Sequence, residues 1–440
     1  MLKWFYPGMY IKRWLCLAIL GGGLLCIGLT LILYSCFSVP FFIFDISGLK
    51  QPLLPGILTF TLGIVLMVYG LWRAMHSVIN TILPRDDKLV DVIYHQRRLK
   101  KGPKVVVIGG GTGIPVLLRG IKAYTDNLSA IITVADDGGS SGRLRGDLGI
   151  LPPGDIRNCL VALADREPLM EELLQYRFPI GELKGHNMGN LLLAALCDIN
   201  NGSFDQAVHG LSRVLAVRGQ VFPATLSDVC LCAEMEDGSV VCGESKITAS
   251  LNKIKKVYLS PEDCPASQDA LQAIAEAEMI VMGPGSLYTS IIPCLMAKGV
   301  SEALKSSSAA KVYVCNVMTQ PGETDGYTAS QHLRAILEHA GEIVDYMVVN
   351  EQTIPPRVVE RYNREGAMPV EADIAGIIDF GVIPITSALL ERSEVMRHDP
   401  RRLARLLMHT IYDNRRYGER VTYLNNYRHG GNHYKDKASY

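Results

Sequence analysis

The sequence predicts an α/β protein with a Rossmann-like, mostly parallel sheet and a small β-hairpin insertion, preceded by an N-terminal two-helix membrane hairpin. Three observations predict this architecture. Apolar strands alternate with helical segments through most of the chain, which is typical of a parallel sheet. A short hairpin pattern interrupts that alternation near the middle of the chain. Two long uncharged spans stand close to the N-terminus.

The two uncharged spans come first. Residues 14–37 and 52–72 contain no charged side chain, and each is about long enough to cross a bilayer, which takes roughly 20 residues. Lys and Arg residues flank the pair on both sides, so the positive-inside rule predicts that both ends lie in the cytoplasm. The alternative, a signal peptide followed by a buried helix, is disfavoured because no small-residue cleavage site follows the first span. The lipid bilayer is therefore an expected partner.

Domain boundaries follow from these features. We predict a transmembrane hairpin over residues 1–73, a juxtamembrane linker over 74–103, a nucleotide-binding domain over 104–420 and a polar tail over 421–440. The predicted location is the cell membrane, multi-pass, with the main domain in the cytoplasm. The chain has 44 basic and 44 acidic residues, a balance that argues against broad nucleic-acid binding.

The cysteine pattern fits a reduced cytoplasmic domain. The 11 cysteines include no C-x-x-C pair, so the spacing predicts no zinc site. Cys230 and Cys232 alternate along a predicted strand, and we expect both to be packing residues.

The stretch from Lys104 to Asn158 organises the domain. The strand Val105–Ile108 runs into a glycine turn, an amphipathic helix follows, and a second strand ends in the polar run Asp136–Arg143. Glycines allow backbone N–H groups to approach a phosphate, and a helix N-terminus favours negative charge. The G-x-G-x-x-G pattern is incomplete because Ile114 stands at its third glycine position, so this turn alone is a weak signal.

Further along, the alternation breaks and then resumes. Val229–Cys232 and Val240–Cys242 flank Asp237-Gly238, which predicts a β-hairpin insertion. Strands at Met279–Met282 and Val312–Cys315 then each end in a loop rich in small and polar residues. Because the carboxyl ends of parallel strands meet at one sheet edge, the four polar loops predict a single nucleotide-type site.

Six sequence runs in this order resemble the gluconeogenesis factor (YvcK-like) family, which is related to the CofD-like 2-phospho-L-lactate transferases of deazaflavin cofactor synthesis. The runs are GGGTG, TVADDGGSSGRLR, PPGDIRN, GHNMGN, GPGSLYTS and NVMTQPGETDGYTA. The resemblance covers roughly residues 104–398. It does not cover the membrane hairpin or the tail.

The resemblance implies a function. It implies binding of a nucleotide sugar such as UDP-N-acetylglucosamine and a role in cell shape and cell-wall homeostasis during gluconeogenic growth. Cell-wall synthesis proteins are candidate partners, and a homo-oligomer is an open alternative. A second reading is a transferase that moves a phosphoester group from a nucleotide carrier. A third, an NAD-dependent reductase, rests only on the incomplete glycine pattern. We expect a non-catalytic regulator, because the motifs supply no nucleophile with an adjacent base.

Candidate roles follow from residue chemistry. Glycines and hydroxyl groups suit a diphosphate, Arg143 suits phosphate, and Asp136 and Asp137 suit sugar hydroxyls or a Mg²⁺ ion on the diphosphate. Asp155 is either a helix cap or a ligand contact. A lone histidine before a helix is more often a capping or packing residue than a general base, and we expect this of His186. The predicted ligand residues are Gly110, Gly111, Thr112, Gly113, Asp136, Asp137, Gly138, Ser140, Ser141, Arg143, Asp155, Arg157, Asn158, Asn187, Asn190, Gly283, Gly285, Ser286, Thr289, Asn316, Thr319 and Asp325.

Overall fold

The structure is a computed structural model that describes residues 12–37, 53–82, 97–165, 168–250, 252–391 and 396–417. Internal contacts divide the chain into two units, Met1–Arg97 and Arg98–Tyr440. The predicted polar tail, residues 421–440, and residues 83–96 of the predicted linker lie outside the described residues.

The N-terminal unit is a pair of packed helices, α1 (Lys12–Phe37) and α2 (Leu53–Ile82). Both are long and apolar enough to cross a membrane. Glycines set their contact: a Cβ atom on Gly63 would lie 2.6 Å from the backbone nitrogen of Leu25, and one on Gly28 would collide with the backbone of Phe60. Small residues at such positions let two helix backbones approach closely, which is how helices associate in lipid.

The second unit is built on a seven-stranded sheet in the order β10-β9-β8-β7-β1-β2-β3, and every pairing in it is parallel. The predicted parallel sheet is thus confirmed. Its strands are β1 (Val105–Gly109), β2 (Leu128–Ile132), β3 (Gln220–Pro223), β7 (Met279–Met282), β8 (Ala310–Val314), β9 (Tyr346–Asn350) and β10 (Ile383–Ser387).

Helices connect and flank the strands of this unit. They are α3 (Gly113–Ile121), α4 (Gly139–Leu148), α5 (Gly154–Leu163), α6 (Pro168–Gln175), α7 (Met188–Ile199), α8 (Phe204–Val214), α9 (Glu244–Thr248), α10 (Gln268–Glu276), α11 (Ile292–Met296), α12 (Val300–Ser306), α13 (Ala329–Ala340), α14 (Pro356–Arg364), α15 (Ile374–Asp379) and α16 (Pro400–Tyr417). A π-helical turn, Leu287–Ile291, precedes α11.

The core lies between the sheet and these helices. Strand β1 is buried at all five positions, as expected for a central parallel strand covered on both faces. On α3, Ile114, Leu117, Leu118 and Ile121 are fully buried, and their spacing gives one apolar helix face. This packing fixes the direction of the chain on either side of the glycine turn between β1 and α3.

The predicted β insertion is confirmed as a small antiparallel sheet in the order β5-β4-β6, formed by Val240–Cys242, Cys230–Met235 and Ile254–Ser260. One expectation for it is wrong. Cys232 is not simply a packing residue, because it forms a disulfide with Cys242. The two cysteines face each other directly in the register of β4 and β5, a pairing that the strand pattern of Cys230 and Cys232 did not reveal.

Candidate functional site

The candidate site lies where the connections of the sheet reverse direction. Strand β1 is paired with β2 on one side and with β7 on the other, so the chain leaves β1 towards one edge of the sheet and later fills the opposite half. In open α/β sheets, ligands bind in the crevice outside the carboxyl ends of the strands at this point. The loops after β1, β2, β7 and β8 all open there, as the sequence predicts.

Glycines let the loops after β1 and β7 come close together. A Cβ atom on Gly285 would lie 3.1 Å from the carbonyl oxygen of Gly110, and one on Gly113 would collide with the carbonyl group of Pro284. Gly111 has a φ of +67°, in the left-handed region that favours glycine. These predicted residues are therefore required by the contact between the loops, in addition to any requirement of a ligand.

Asp155 holds the glycine turn in place. Its Oδ2 atom accepts a hydrogen bond of 2.6 Å from the backbone N–H of Gly111. Burial raises the pKa of Asp155, and the Gly111 N–H opposes that rise. The predicted helix cap is wrong, because Pro153 occupies the cap position and Asp155 makes no side-chain cap hydrogen bond. The carboxyl group instead holds the turn, and its predicted contact with a ligand stays a prediction.

Buried polar side chains join α4, α5 and α7. Arg157 donates from Nη1 to Asn190 Oδ1 at 2.8 Å and from Nη2 to Asn158 Oδ1 at 2.6 Å. Asn190 also donates to Ser140 Oγ at 3.3 Å. Burial lowers the pKa of Arg157 to about 10, so the side chain keeps its charge at neutral pH. The structure thus brings these four predicted residues together, and they bind one another.

Asn187 is a helix cap. Its Oδ1 atom accepts from the backbone N–H groups of Gly189 and Asn190 at the start of α7, and its Nδ2 atom donates to the Gln175 carbonyl group. His186 lies beside this cap, with Nδ1 3.4 Å from Ser140 Oγ.

Asp136 and Asp137 face the start of α4 and the β insertion. Asp136 Oδ1 accepts from the Gly138 N–H at 2.8 Å, whereas Asp137 Oδ1 accepts from the Ser245 N–H at 2.9 Å. Glu244 stands beside Asp136, and burial, followed by the charge of Asp136, raises the pKa of Glu244 well above its usual range. Sequence reasoning missed Glu244 and Ser245 because the insertion carries no glycine-rich signature.

Two predicted donors stand at the exposed rim of this edge. Thr112 is exposed at the start of α3, and Arg143 is exposed on α4, where Nη1 donates to the Lys184 carbonyl group at 3.1 Å. Ser141 is buried against Gly154. Arg145, which sequence reasoning also missed, joins α4 to the insertion by donating to the Val229 carbonyl group at 2.7 Å.

Side chains after β7 and β8 form a second network. Ser286 Oγ donates to Gln320 Oε1 at 2.7 Å, and Gln320 Nε2 and Thr289 Oγ1 donate to Glu323 Oε1 at 2.6 and 3.0 Å. Burial raises the pKa of Glu323 to about 7. Its Oε2 atom is buried with no hydrogen-bond partner among the described residues. Glu323 lies within the run NVMTQPGETDGYTA, whose predicted ligand residues are Asn316, Thr319 and Asp325.

The remaining predicted residues serve the loops themselves. Asn316 brackets the loop that begins at Gly283 (φ +79°), because it donates to the Gly285 carbonyl group at 2.8 Å and accepts from the Gly285 N–H at 3.2 Å. Thr319 Oγ1 accepts from the Met368 N–H at 2.9 Å, and Asp325 Oδ2 accepts from the Gly322 N–H at 2.8 Å. The structure gives Thr319 and Asp325 local contacts within and beside their own loop.

Two further features bear on ligands. Within the described parts of the chain, no group of three or more His, Cys, Asp or Glu side chains has a metal-binding arrangement. A cleft of about 530 Å³ opens near the starts of the strands, lined by residues such as Lys104, Asn127 and Gln220. That cleft lies at the edge of the sheet where the strands begin, opposite the candidate site. The candidate site is therefore assigned from the chemistry of its side chains and from the sheet topology.

Comparison with known proteins agrees with this architecture. Residues 105–390 match the family of the 2-phospho-L-lactate transferase CofD. The chain is 46% identical over 419 residues to a putative gluconeogenesis factor from Nostoc sp., covering 92% of this chain and 91% of that protein. The chain belongs to the gluconeogenesis factor family. The gluconeogenesis factor of Bacillus subtilis is 49% identical over 309 residues, which cover 70% of this chain and 97% of that one.

A solved family structure matches the sheet unit. The crystal structure of a UPF0052 family member from Bacillus halodurans is 50% identical, has a TM-score of 0.68, and covers 70% of this chain and 99% of that one. The relatives that 70% of this chain covers almost completely therefore correspond to its CofD-like domain. The Nostoc alignment covers 92% of this chain, so it extends into the N-terminal unit.

Proposed function

We propose that this gluconeogenesis factor is a membrane-tethered regulator that binds a UDP-sugar, such as UDP-N-acetylglucosamine, in the cytoplasm and acts in cell-shape and cell-wall homeostasis during gluconeogenic growth. One observation carries the proposal: the glycine loop after β1 lies at the reversal point of the sheet and leads into the N-terminus of α3, and the nearest atom to a Cβ position on Gly111 is Ser290 Oγ at 3.6 Å. Glycine backbone at the start of a helix can come close to a diphosphate, and the helix N-terminus favours its negative charge.

The surrounding groups supply the selectivity. The N-terminus of α3 and the exposed Thr112 offer donors to a diphosphate, and Arg143 adds a positive charge at the same edge. Asp136 and Asp137 suit the hydroxyl groups of the sugar or ribose, and a Mg²⁺ ion that arrives with the diphosphate would meet the same carboxylates.

Calorimetric titration of the full-length chain in detergent micelles with UDP-N-acetylglucosamine tests the proposal. We expect saturable binding, weaker binding of UDP alone, and no turnover of the sugar nucleotide. Absence of saturable binding by a protein that melts cooperatively would contradict it. Arg143→Ala should weaken this binding, and Arg119→Ala is its matched control, because Arg119 is an exposed arginine that pairs with Glu171 away from the site.

A phosphoester transferase is the second candidate, and the match to the 2-phospho-L-lactate transferase family favours it. Phosphoryl-type transfer can proceed on positioning and Mg²⁺ with little covalent participation by the protein. The assay is turnover of a nucleotide-linked lactyl phosphodiester with a deazaflavin acceptor and Mg²⁺. Transfer by the parent protein that is lost in Asp137→Asn would show that the protein is a transferase and would overturn the regulator proposal.

The tether is part of the proposal. Helices α1 and α2 are 26 and 30 residues long, and their glycine-lined contact is of the kind that joins helices in lipid. We expect a topology reporter fused after Lys101 to be active as a cytoplasmic fusion and silent as an exported one. The opposite result would refute the tether while leaving ligand binding open.

A further inference from the structure

The β insertion supplies a wall of the candidate site through the segment that follows β5. In this segment, Ser245 donates its backbone N–H to Asp137 Oδ1 at 2.9 Å. Gly243 has a φ of +109°, and a Cβ atom there would lie 2.5 Å from Asp137 Oδ2. The backbone therefore rests directly on a carboxylate of the proposed site, and only glycine fits.

The same segment reaches the loop after β8. The carbonyl group of Thr248 packs against Gly322, the residue before Glu323, so closely that a Cβ atom on Gly322 would collide with it. Ile247, between the two contacts, is fully buried and anchors the segment. Residues 243–248 thus span from Asp137 to the loop of Glu323.

A disulfide fixes the point at which this segment begins. Cys242 is the residue immediately before Gly243, and it is bonded to Cys232 on the neighbouring strand. Strand β5 has only three residues, and none of them is buried. So short and exposed a strand is weakly held by its ladder alone, and the covalent link is its strongest attachment to β4.

The two sulfur atoms differ in access. Cys232 is 3% exposed, whereas Cys242 is exposed to solvent. Thiol–disulfide exchange depends on whether a thiolate can reach a sulfur atom, so Cys242 is the point of attack. In a domain that we place in the cytoplasm, where small thiols keep most cysteines reduced, a disulfide is usually transient and redox-sensing.

We infer that Cys232–Cys242 is a thiol–disulfide modification site, and that its state sets whether residues 243–245 are held against Asp137 and hence how tightly the site binds its ligand. The ligand named in the test rests on the function proposed above. A small-molecule thiolate attacks Cys242 Sγ, the disulfide bond breaks, and Cys232 leaves as a thiolate that takes a proton. A second thiol then attacks the mixed disulfide, releasing the Cys242 thiol and a small-molecule disulfide. Oxidation is the reverse, with the small-molecule disulfide as the oxidant.

The test uses the full-length chain in detergent micelles, equilibrated with mixtures of reduced and oxidised glutathione. Mass tagging of free thiols measures the disulfide, hydrogen exchange measures the amides of residues 243–248, and calorimetry measures the affinity for UDP-N-acetylglucosamine. On reduction we expect exchange at Ser245 to rise and affinity to fall by about tenfold, within the usual range for coupled sites. Cys242→Ser should resemble the reduced protein under all mixtures.

Cys230→Ser is the matched control, because Cys230 is a free thiol two residues from Cys232 on the same strand. This variant should keep the full redox response. The inference is overturned if no disulfide forms between residues 232 and 242, or if it forms while exchange at Ser245 stays unchanged. It is also overturned if exchange responds but affinity is equal in both states. If neither state binds the UDP-sugar, the proposed function fails and the coupling to ligand fails with it, while the exchange data still decide whether the disulfide holds the segment.

Discussion

Two walls of the candidate site, the one after β7 and β8 and the one after β1 and β2, differ in how their polar groups are used. In the wall after β7 and β8, Ser286, Gln320, Thr289 and Glu323 bond one another in a continuous chain. Of the buried polar atoms in this network, only Glu323 Oε2 lacks a hydrogen-bond partner among the described residues. The wall after β1 and β2 is fixed from behind by buried groups such as Arg157, and it presents exposed groups such as Arg143 at its rim.

This difference teaches where selectivity should reside. A buried side chain whose donors and acceptors are already paired must break those bonds before it can bind a ligand, whereas an exposed side chain mainly exchanges hydrogen bonds with water for hydrogen bonds with the ligand. We therefore expect the wall after β7 and β8 to act as a structural frame that maintains the shape of the site. We expect the wall after β1 and β2 to contact the ligand and determine which ligand binds. The following variants test this division, beginning with the largest expected effect.

Arg157→Met should cause the largest loss of stability. The change leaves Asn190 Oδ1 and Asn158 Oδ1 without their donor, and leaving a buried acceptor unpaired costs about 1–3 kcal/mol for each acceptor. Urea denaturation measures the loss. The control Arg119→Met breaks an exposed ion pair and should cost about 0–1 kcal/mol. Equal losses in the two variants would show that the buried set is not what holds this wall.

Glu323→Gln should change how stability depends on pH. Burial raises the pKa of Glu323 from 4.5 to about 7, so the folded protein favours the protonated carboxyl group. Its contribution to stability is present in full below pH 4.5 and is lost as the pH rises through about 7. At pH 8 the neutral variant should therefore be more stable than the parent by roughly 1–3 kcal/mol, and the two should converge near pH 4.5.

Thermal midpoints between pH 5 and pH 8 check the Glu323 prediction. The slope should be reduced without disappearing, because Glu244 and Asp155 also have raised pKa values. Parallel pH profiles for parent and variant would contradict a buried, protonated Glu323.

Arg143→Ala should weaken binding of UDP-N-acetylglucosamine about tenfold, the low end of what a charged hydrogen bond contributes, and should leave the thermal midpoint nearly unchanged. The reason is that Arg143 is exposed and its one hydrogen bond recorded among the described residues goes to the Lys184 carbonyl group. Calorimetry and a melting curve give the two readings. A large drop in the midpoint with unaltered affinity would make Arg143 part of the frame.

Ser286→Ala should have the smallest effect on affinity. Its hydroxyl group is already bonded to Gln320 at 2.7 Å, so its loss should cost about 1 kcal/mol of stability and change affinity less than twofold. If Ser286→Ala weakens binding as much as Arg143→Ala does, the two walls share the ligand and the proposed division is wrong.

The sequence predicts the sheet well because its strands are long apolar runs that end in clear polar loops. It also places the glycines at the correct edge, since the strand pattern determines where each loop opens. It could not reveal that Asn187 caps a helix or that Asp155 holds the Gly111 N–H, because those uses depend on which residues become neighbours in space. Ser245 meets Asp137 across 108 residues of chain, and no local pattern at either residue encodes that meeting.

The central position of β1 has a consequence for the order of assembly. This region cannot be completed until β7 has been synthesised. Lys104, just before β1, donates a hydrogen bond to Glu278, just before β7, and the two residues are 174 positions apart. At a synthesis rate of about 5–20 residues per second, that interval lasts roughly 10–35 seconds on the ribosome. During it, β1 can pair with β2 but has an open apolar flank, the kind of edge that invites aggregation. The candidate ligand site can therefore form only after the C-terminal half of the domain has been synthesised.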